Sequence, residues 1–247
     1  AVGGVYLTPD LKTNSGWISW VQLAIAVFAF SRRTMLLSAI GIVGLWVVAL
    51  REYELFHLMD YLALGLGIAA YLVLAAMPGH HLHQHRFLVL RWAVAISLMW
   101  SSLEKFAYPE WFYPLVIEKP FLTFGLPRDM FIPMAGVAEF TLGFGLLWTP
   151  LVRRLSAIAL LVIFTAAIYP FGRMDLVGHA LIMLMLVSTL IEPGRDKHAG
   201  NSMSSAIGKI PVTLGTALLA FTLSYWGLHV VPGNDYIIAG AGTGGVG

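Results

Sequence analysis

Residues 55–77 read LFHLMDYLALGLGIAAYLVLAAM, and this stretch decides the class of the protein. After Asp60 it contains no charged residue. The hydrocarbon core of a bilayer is about 30 Å thick, and a helix that rises about 1.5 Å per residue crosses it with roughly 20 apolar residues. The stretch is therefore long enough to cross a membrane as a single helix.

The composition of the whole chain supports the same interpretation. Of its 247 residues, 58% are hydrophobic and 11% are charged, whereas a soluble globular chain has about 25% charged residues. The apolar excess excludes intrinsic disorder, and the net charge of +2 is too small for a nucleic-acid-binding surface. The chain has no cysteine, which excludes disulfide exchange and thiolate metal ligands. We therefore expect an integral membrane protein that contacts the lipid bilayer and binds no nucleic acid.

Other apolar stretches repeat this pattern, so we predict an all-α fold, a polytopic transmembrane helix bundle of about eight spans. The predicted spans are residues 16–31, 34–50, 55–77, 87–103, 131–149, 154–170, 174–191 and 209–230. They divide the chain into an N-terminal segment, a three-helix unit ending in a histidine-rich loop, a four-helix unit, and a linker followed by the last span and a glycine-rich tail. These four regions are residues 1–15, 16–85, 86–192 and 193–247.

The distribution of basic residues predicts the orientation, because cytoplasmic loops carry an excess of Lys and Arg. Two very short connections each contain an arginine pair, Arg32-Arg33 and Arg153-Arg154. Both connections are cytoplasmic if residues 1–15 lie outside, and this polar segment lacks the pattern of a signal peptide. We therefore predict a bacterial inner-membrane protein with both termini extracytoplasmic.

The ionisable residues in the spans are concentrated at one side. Each costs about 2.5–3.5 kcal/mol on insertion scales, so each requires a physical reason. On the predicted topology Arg91 is the main exception, and we expect it to extend to the cytoplasmic surface. We predict a polar site beneath the outer face, in which Tyr169, Arg173 and His229 are candidate cofactor contacts. The full outer group is Glu54, His57, Asp60, Glu104, Lys105, Glu139, Tyr169, Arg173, Asp175, His179 and His229.

Two acid–imidazole pairs in this group are candidate metal ligands. His57 and Asp60 are three residues apart and Asp175 and His179 are four apart, so each pair shares a helix face. A carboxylate beside an imidazole either orients the ring or joins it as a ligand, and such a set suits copper, iron or zinc. The alternative is that these residues are simply hydrated near the lipid headgroups.

Glu139 and Lys105 are the candidate catalytic residues. Glu139 lies among Gly136, Gly143 and Gly145, a strip of small residues that allows helices to pack closely. A carboxylate in such a place requires a partner, and we expect Lys105 to be that partner.

Two connections have unusual compositions. Residues 104–130 contain four prolines and many aromatic residues, which predicts either a cap over the outer face or an aromatic belt at the headgroup layer. In the other connection, His81, His83 and His85 lie on one side of the chain if it is extended. This loop is therefore either a metal site or a loop that contacts lipid headgroups.

The region from Arg86 to Glu192 resembles a DoxX-type membrane domain. The resemblance implies a four-helix bundle with a polar, outward-facing centre and a link to quinone-dependent oxidation, with Arg91, Lys105 and Glu139 at the family's functional positions. It covers less than half of the chain, since three predicted helices precede it and one follows it. The matching features are Arg91, Glu104-Lys105-Phe106, the proline-rich connection, Gly136-Val137-Ala138-Glu139 with Gly143, Arg153-Arg154 and His179.

A short internal similarity raises the hypothesis of two related units. Leu37-Ser38-Ala39-Ile40 follows one arginine pair and Leu155-Ser156-Ala157-Ile158 follows the other. In both cases the next helix has a histidine and an aspartate near its start.

These observations predict a membrane subunit of a redox system, linked to a quinone or to a transition metal such as copper or iron, with other membrane or periplasmic subunits as partners. Whether the chain is itself an enzyme stays open, because the sequence contains no complete catalytic constellation. The alternative is a non-catalytic structural subunit that packs around a larger membrane complex. A transporter is the third hypothesis and ranks below the other two, because the polar residues lie near one surface and not near the bilayer centre.

Overall fold

The computed structural model describes residues 11–53, 55–192, 212–220, 222–224 and 227. Within these ranges, the side chains at positions 56, 57 and 173–175 lie outside the description. The described part of the chain is helical and contains no β-strand, which confirms the all-α prediction. The principal helices are α1 (Trp17–Phe28), α2 (Met35–Ala49), α3 (Leu55–Ala76), α4 (Arg86–Ala107), α5 (Tyr113–Glu118), α6 (Arg128–Gly145), α7 (Pro150–Phe171) and α8 (Arg173–Ile191).

Within the described residues, three helical stretches have the length and composition needed to cross a membrane. They are Leu58–Ala76, His81–Ala107 and Pro150–Phe171. The other apolar helices are shorter, and α1 with its 12 residues is only about 18 Å long. The membrane class therefore has structural support, while the count of eight spans stays a prediction.

The central helix of the bundle is α4, which packs against α3, α6 and α8. About 61% of its span is buried, against 22% for α7. Its apolar face forms the main core, where Val94, Leu98 and Met99 meet Leu160 of α7 and Leu186 of α8. A smaller apolar cluster joins α1, α2 and the start of α3. The helices on either side of residues 85–86, α3 and α4, pack on each other, and the division of the chain at this point stays a prediction.

Close helix packing depends on small residues at the contacts. Gly136 lies against Lys105 and Phe106 of α4, and Gly143 lies against Leu98 of the same helix. This order shows that α6 runs antiparallel to α4. Gly145 instead faces Ser156 of α7. The predicted glycine strip therefore packs against two different helices.

The antiparallel arrangement gives the bundle two ends with different polar groups. We call the end near Asp60, Glu104 and Glu139 the carboxylate end. We call the other end, which contains residues 80–85 and Glu192, the histidine end. The start of α3, the end of α4 and the start of α8 lie together at the carboxylate end, so residues distant in sequence become neighbours there.

Two sequence predictions about the histidine end were wrong. His81–His85 form a 3-10 helix and not an extended loop. Since each residue of a 3-10 helix turns the chain by about 120°, alternate histidines do not share a side. Arg91 does not extend to the surface: it is 8% exposed, and its Nη1 donates a hydrogen bond to Glu192 Oε2 at 2.9 Å.

Between α4 and α6, the proline-rich connection contains short helices and no long one, as its prolines predict. Pro109–Phe112 and Pro120–Thr123 are 3-10 helices on either side of α5. Phe124 and Gly125 then adopt positive φ angles of 52° and 81°, which turn the chain into α6.

Candidate functional site

The candidate site begins with an ion pair between α4 and α6. Lys105 Nζ contacts Glu139 Oε2, and the two side chains are only 17% and 21% exposed. Lys105 is therefore the partner that the sequence predicted for Glu139. The catalytic role of the pair stays a prediction.

Two further carboxyl groups belong to the same cluster. Glu104 interacts electrostatically with Asp60 of α3, with Lys105 and with Glu139. Asp60 accepts a hydrogen bond from the backbone N–H of Tyr61 at 2.7 Å. Glu104 and Glu139 thus share Lys105, and Asp60 lies near Glu104. Carboxyl groups inside membrane proteins commonly mark pathways for protons or ions.

A cavity of about 380 Å³ connects this cluster to α8. Asp60, Glu139 and His179 all line it, although they come from three different helices. Ser97 and Ser101 of α4 add hydroxyl groups to the wall. Most of the remaining lining is apolar or aromatic: Leu11, Ile25, Ile42, Trp46, Ala49, Tyr61, Leu64, Gly65, Ile68, Leu98, Phe164, Val177, Gly178, Leu181 and Ile182.

The polar residues lie slightly inside the carboxylate end of the bundle. Asp60 and His179 each lie about one and a half turns after the start of their helix, or about 8 Å along its axis. The His179 ring packs against Phe164 of α7, with ring centroids 4.9 Å apart. This contact fixes the imidazole at the cavity wall.

The proline-rich connection covers the ion pair. Phe112 places its ring centroid 4.8 Å from Lys105 Nζ, a cation–π distance. Tyr108 stacks on Trp111 at 4.4 Å, and burial together with Glu110 and Glu104 raises the pKa of the Tyr108 hydroxyl. Phe124, however, is 90% exposed. The segment thus places one aromatic ring over Lys105 and exposes another, and the choice between a cap and an aromatic belt stays open.

Of the other predicted site residues, only Tyr169 has a described side chain. Tyr169 is 92% exposed and is absent from the described lining. Arg173 begins α8, but its side chain lies outside the description. Glu54 and His229 lie outside the described residues altogether.

The metal site formed by His57, Asp60, Asp175 and His179 stays a prediction. Among the side chains that the structure describes, no group of three or more His, Asp or Glu residues is arranged to hold a metal ion. The side chains of His57 and Asp175 are not among them. Only Asp60 and His179 of the four predicted ligands are therefore visible, and both line the same cavity.

Sequence reasoning missed Ser97 and Ser101 as wall residues. Their spacing of four residues places them on one face of α4, so helical periodicity contained the signal. Trp46 was also missed as a wall residue. An aromatic residue in a span is ordinarily part of the apolar surface, so its residue type gave no signal.

No protein-family model, curated protein or solved structure matches this chain. The resemblance to the DoxX-type family therefore stays a prediction from the motifs.

Proposed function

We propose that this protein is the membrane subunit of a quinone-linked redox system and that the cavity between α3, α6 and α8 is its quinone site. The observation that carries the proposal is the convergence of Asp60, Glu139 and His179 on one cavity. Each ionisable side chain inside an apolar bundle has a cost in free energy. Three of them at one cavity therefore favour a functional role over a purely structural one.

The cavity can accommodate both the polar ring and the apolar tail of a quinone. Its volume of about 380 Å³ lies within the range of about 300–1,000 Å³ found for small-molecule sites. The imidazole of His179 and the hydroxyls of Ser97 and Ser101 can donate hydrogen bonds to the ring oxygens. The apolar side chains that surround them suit the ring face and the start of the isoprenoid tail.

The side chains that line this cavity can accept the protons that the oxidation of a quinol releases. When bound, a quinol supplies two electrons and two protons in its oxidation. Asp60 and Glu139 can accept protons at their carboxylate oxygens, and His179 at a ring nitrogen. Lys105 fixes the Glu139 carboxylate through the ion pair. The electrons require an acceptor such as haem, flavin or an iron–sulfur centre on a partner subunit.

The proposed orientation places the carboxylate end at the extracytoplasmic face of a bacterial inner membrane. Protons released there leave the membrane on the side where we expect periplasmic or membrane partner subunits. The arginine pairs Arg32-Arg33 and Arg153-Arg154 support this orientation. Arg32-Arg33 lie between α1 and α2, whereas Arg153-Arg154 lie at the start of α7 and not in the connection that the sequence predicted. Both pairs lie at the end of the bundle that the positive-inside rule assigns to the cytoplasm. The DoxX-type resemblance supports the same scheme.

A second candidate function, a structural subunit, is favoured by the exposed apolar face of α7. Leu151, Leu155, Ile158 and Val162 are each about half exposed or more. Lipid or another subunit can cover such a face. This candidate predicts no saturable ligand in the cavity.

The test measures quinone binding by the purified protein in detergent. Quenching of tryptophan fluorescence by the bound quinone is the signal. Trp46 lines the cavity and provides a local signal. We expect a short-chain ubiquinone analogue to bind saturably, with affinity about tenfold weaker in His179→Ala because a hydrogen bond to the ring is lost. Glu118→Gln, an exposed change outside the cavity, is the matched control and retains the affinity. Absence of saturable binding to the unchanged protein rejects the proposal.

A further inference from the structure

The histidine end of the bundle contains a second cavity, separate from the proposed quinone site. It has a volume of about 950 Å³. Its floor contains Arg91 and Arg153, which are 8% and 6% exposed. Its rim contains the exposed residues His80, His81 and His85.

The charges on this lining favour an anion. Among the lining residues that the structure describes, Arg86, Arg91 and Arg153 are cationic and Glu192 is the one carboxylate. Arg86 Nη1 donates a hydrogen bond to the backbone oxygen of His83 at 3.0 Å. Glu192 Oε2 lies 2.9 Å from Arg91 Nη1 and 3.9 Å from Arg153 Nη1, so one carboxylate serves two buried guanidinium groups. With the histidines neutral, the ionised lining residues carry a charge of +2. Burial strengthens the attraction of such groups for a second anion.

The donors around the cavity match the geometry of a phosphate group. Guanidinium groups form paired hydrogen bonds with phosphate oxygens. The backbone N–H of Leu82 donates to His80 Nδ1, so the neutral ring carries its proton on Nε2 as a further donor.

We infer that this cavity binds a phosphate group, supplied either by an anionic lipid headgroup or by a free phosphate compound. The buried arginines hold the phosphate oxygens at the floor, and Arg86 and His80 close on it from the rim. Glu192 occupies part of the same guanidinium surface and competes with the phosphate. This site lies at the opposite end of the bundle from the quinone cavity and does not depend on the proposed function.

Two probes distinguish the sources of the phosphate. Calorimetric titration of the delipidated protein in detergent with inorganic phosphate tests the free anion. Native mass spectrometry after release from nanodiscs of phosphatidylglycerol or phosphatidylcholine tests the lipid. Binding of inorganic phosphate assigns the site to free phosphate compounds. Selective retention of phosphatidylglycerol without phosphate binding assigns it to a lipid headgroup.

Three variants connect the binding to this cavity. Arg86→Gln removes a rim charge without touching the buried ion pair, and we expect at least about tenfold weaker binding. Glu192→Gln removes the competing carboxylate, so binding becomes tighter and the added probe raises the melting temperature of this variant more than that of the unchanged protein. Arg51→Gln, an exposed change between α2 and α3, is the control and leaves binding unchanged.

The inference is overturned if neither probe binds the unchanged protein saturably. It is also overturned if Arg86→Gln and Glu192→Gln both bind like the unchanged protein. Glu192→Gln keeps the test decisive, because a purely structural role of the carboxylate predicts lower stability without a gain in phosphate affinity.

Discussion

The carboxylate end and the histidine end of this bundle both enclose ionised side chains, but with opposite balances of charge. At the carboxylate end, Glu104 and Glu139 share Lys105, and Asp60 lies near Glu104. At the histidine end, Arg91 and Arg153 share Glu192, and Arg86 lies in the same cavity lining. The first arrangement suits proton exchange with a neutral ligand, whereas the second suits an anion. Helix α4 contributes ionisable residues to both ends, since Arg86 and Arg91 lie near its start and Glu104 and Lys105 near its end.

The largest effect is expected from a change at the histidine end. Glu192→Gln leaves two buried guanidinium groups without their shared carboxylate, and we expect a loss of about 3 kcal/mol in the free energy of unfolding. Unfolding in mixed micelles with increasing SDS measures it. Glu118→Gln removes an exposed carboxylate as the control and changes stability by less than about 0.5 kcal/mol. Equal stabilities of the two variants would show that the ion pair is not structural.

An intermediate effect is expected where α3 meets α4. A Cβ atom added at Gly67 would lie 2.1 Å from the Cβ of Ala93, so Gly67→Ala forces these helices apart. We expect a loss of about 2 kcal/mol from overpacking, with weaker quinone binding because Asp60 moves relative to Glu139.

The matched control for this prediction is Gly44→Ala in α2. An added Cβ at Gly44 meets nothing within 4 Å, so this variant keeps its stability and its quinone affinity. The same melting temperature in both alanine variants would contradict the close contact between α3 and α4.

The smallest effect is expected from the ion pair at the carboxylate end. A double-mutant cycle of Lys105→Gln and Glu139→Gln should give a coupling of about 1 kcal/mol, since both side chains retain some solvent contact. The measurement is again unfolding in mixed micelles. Additive losses would indicate that the two groups do not interact in the membrane-embedded protein.

Much of the fold could be predicted because long apolar runs have few alternatives in a membrane. The stretch 55–77 contains the whole of α3, and residues 154–170 lie within α7. The pairing of Glu139 with Lys105 was predictable for a similar reason, since an isolated carboxylate in a glycine-lined contact needs a counter-charge. Local sequence thus indicated both the helices and this ion pair.

The partner of Arg91 could not be predicted in the same way. Glu192 lies 101 positions away and ends a different helix, so its contact with Arg91 depends on how α4, α7 and α8 pack. The histidine-rich connection was also misinterpreted, because its composition allows both an extended chain and the 3-10 helix that forms. Long-range packing and short connections are less constrained by hydropathy than the spans are.

The most direct measurement for the central claim is ligand protection of single introduced cysteines. The chain contains no cysteine, so Asp60→Cys, Glu139→Cys and His179→Cys can each be labelled with a maleimide without background. The account predicts that a short-chain ubiquinone analogue slows labelling at all three positions. Tyr169→Cys is the control, because Tyr169 is 92% exposed. We expect the analogue to leave its labelling rate unchanged. Equal labelling rates with and without the analogue at positions 60, 139 and 179 would contradict a shared quinone cavity.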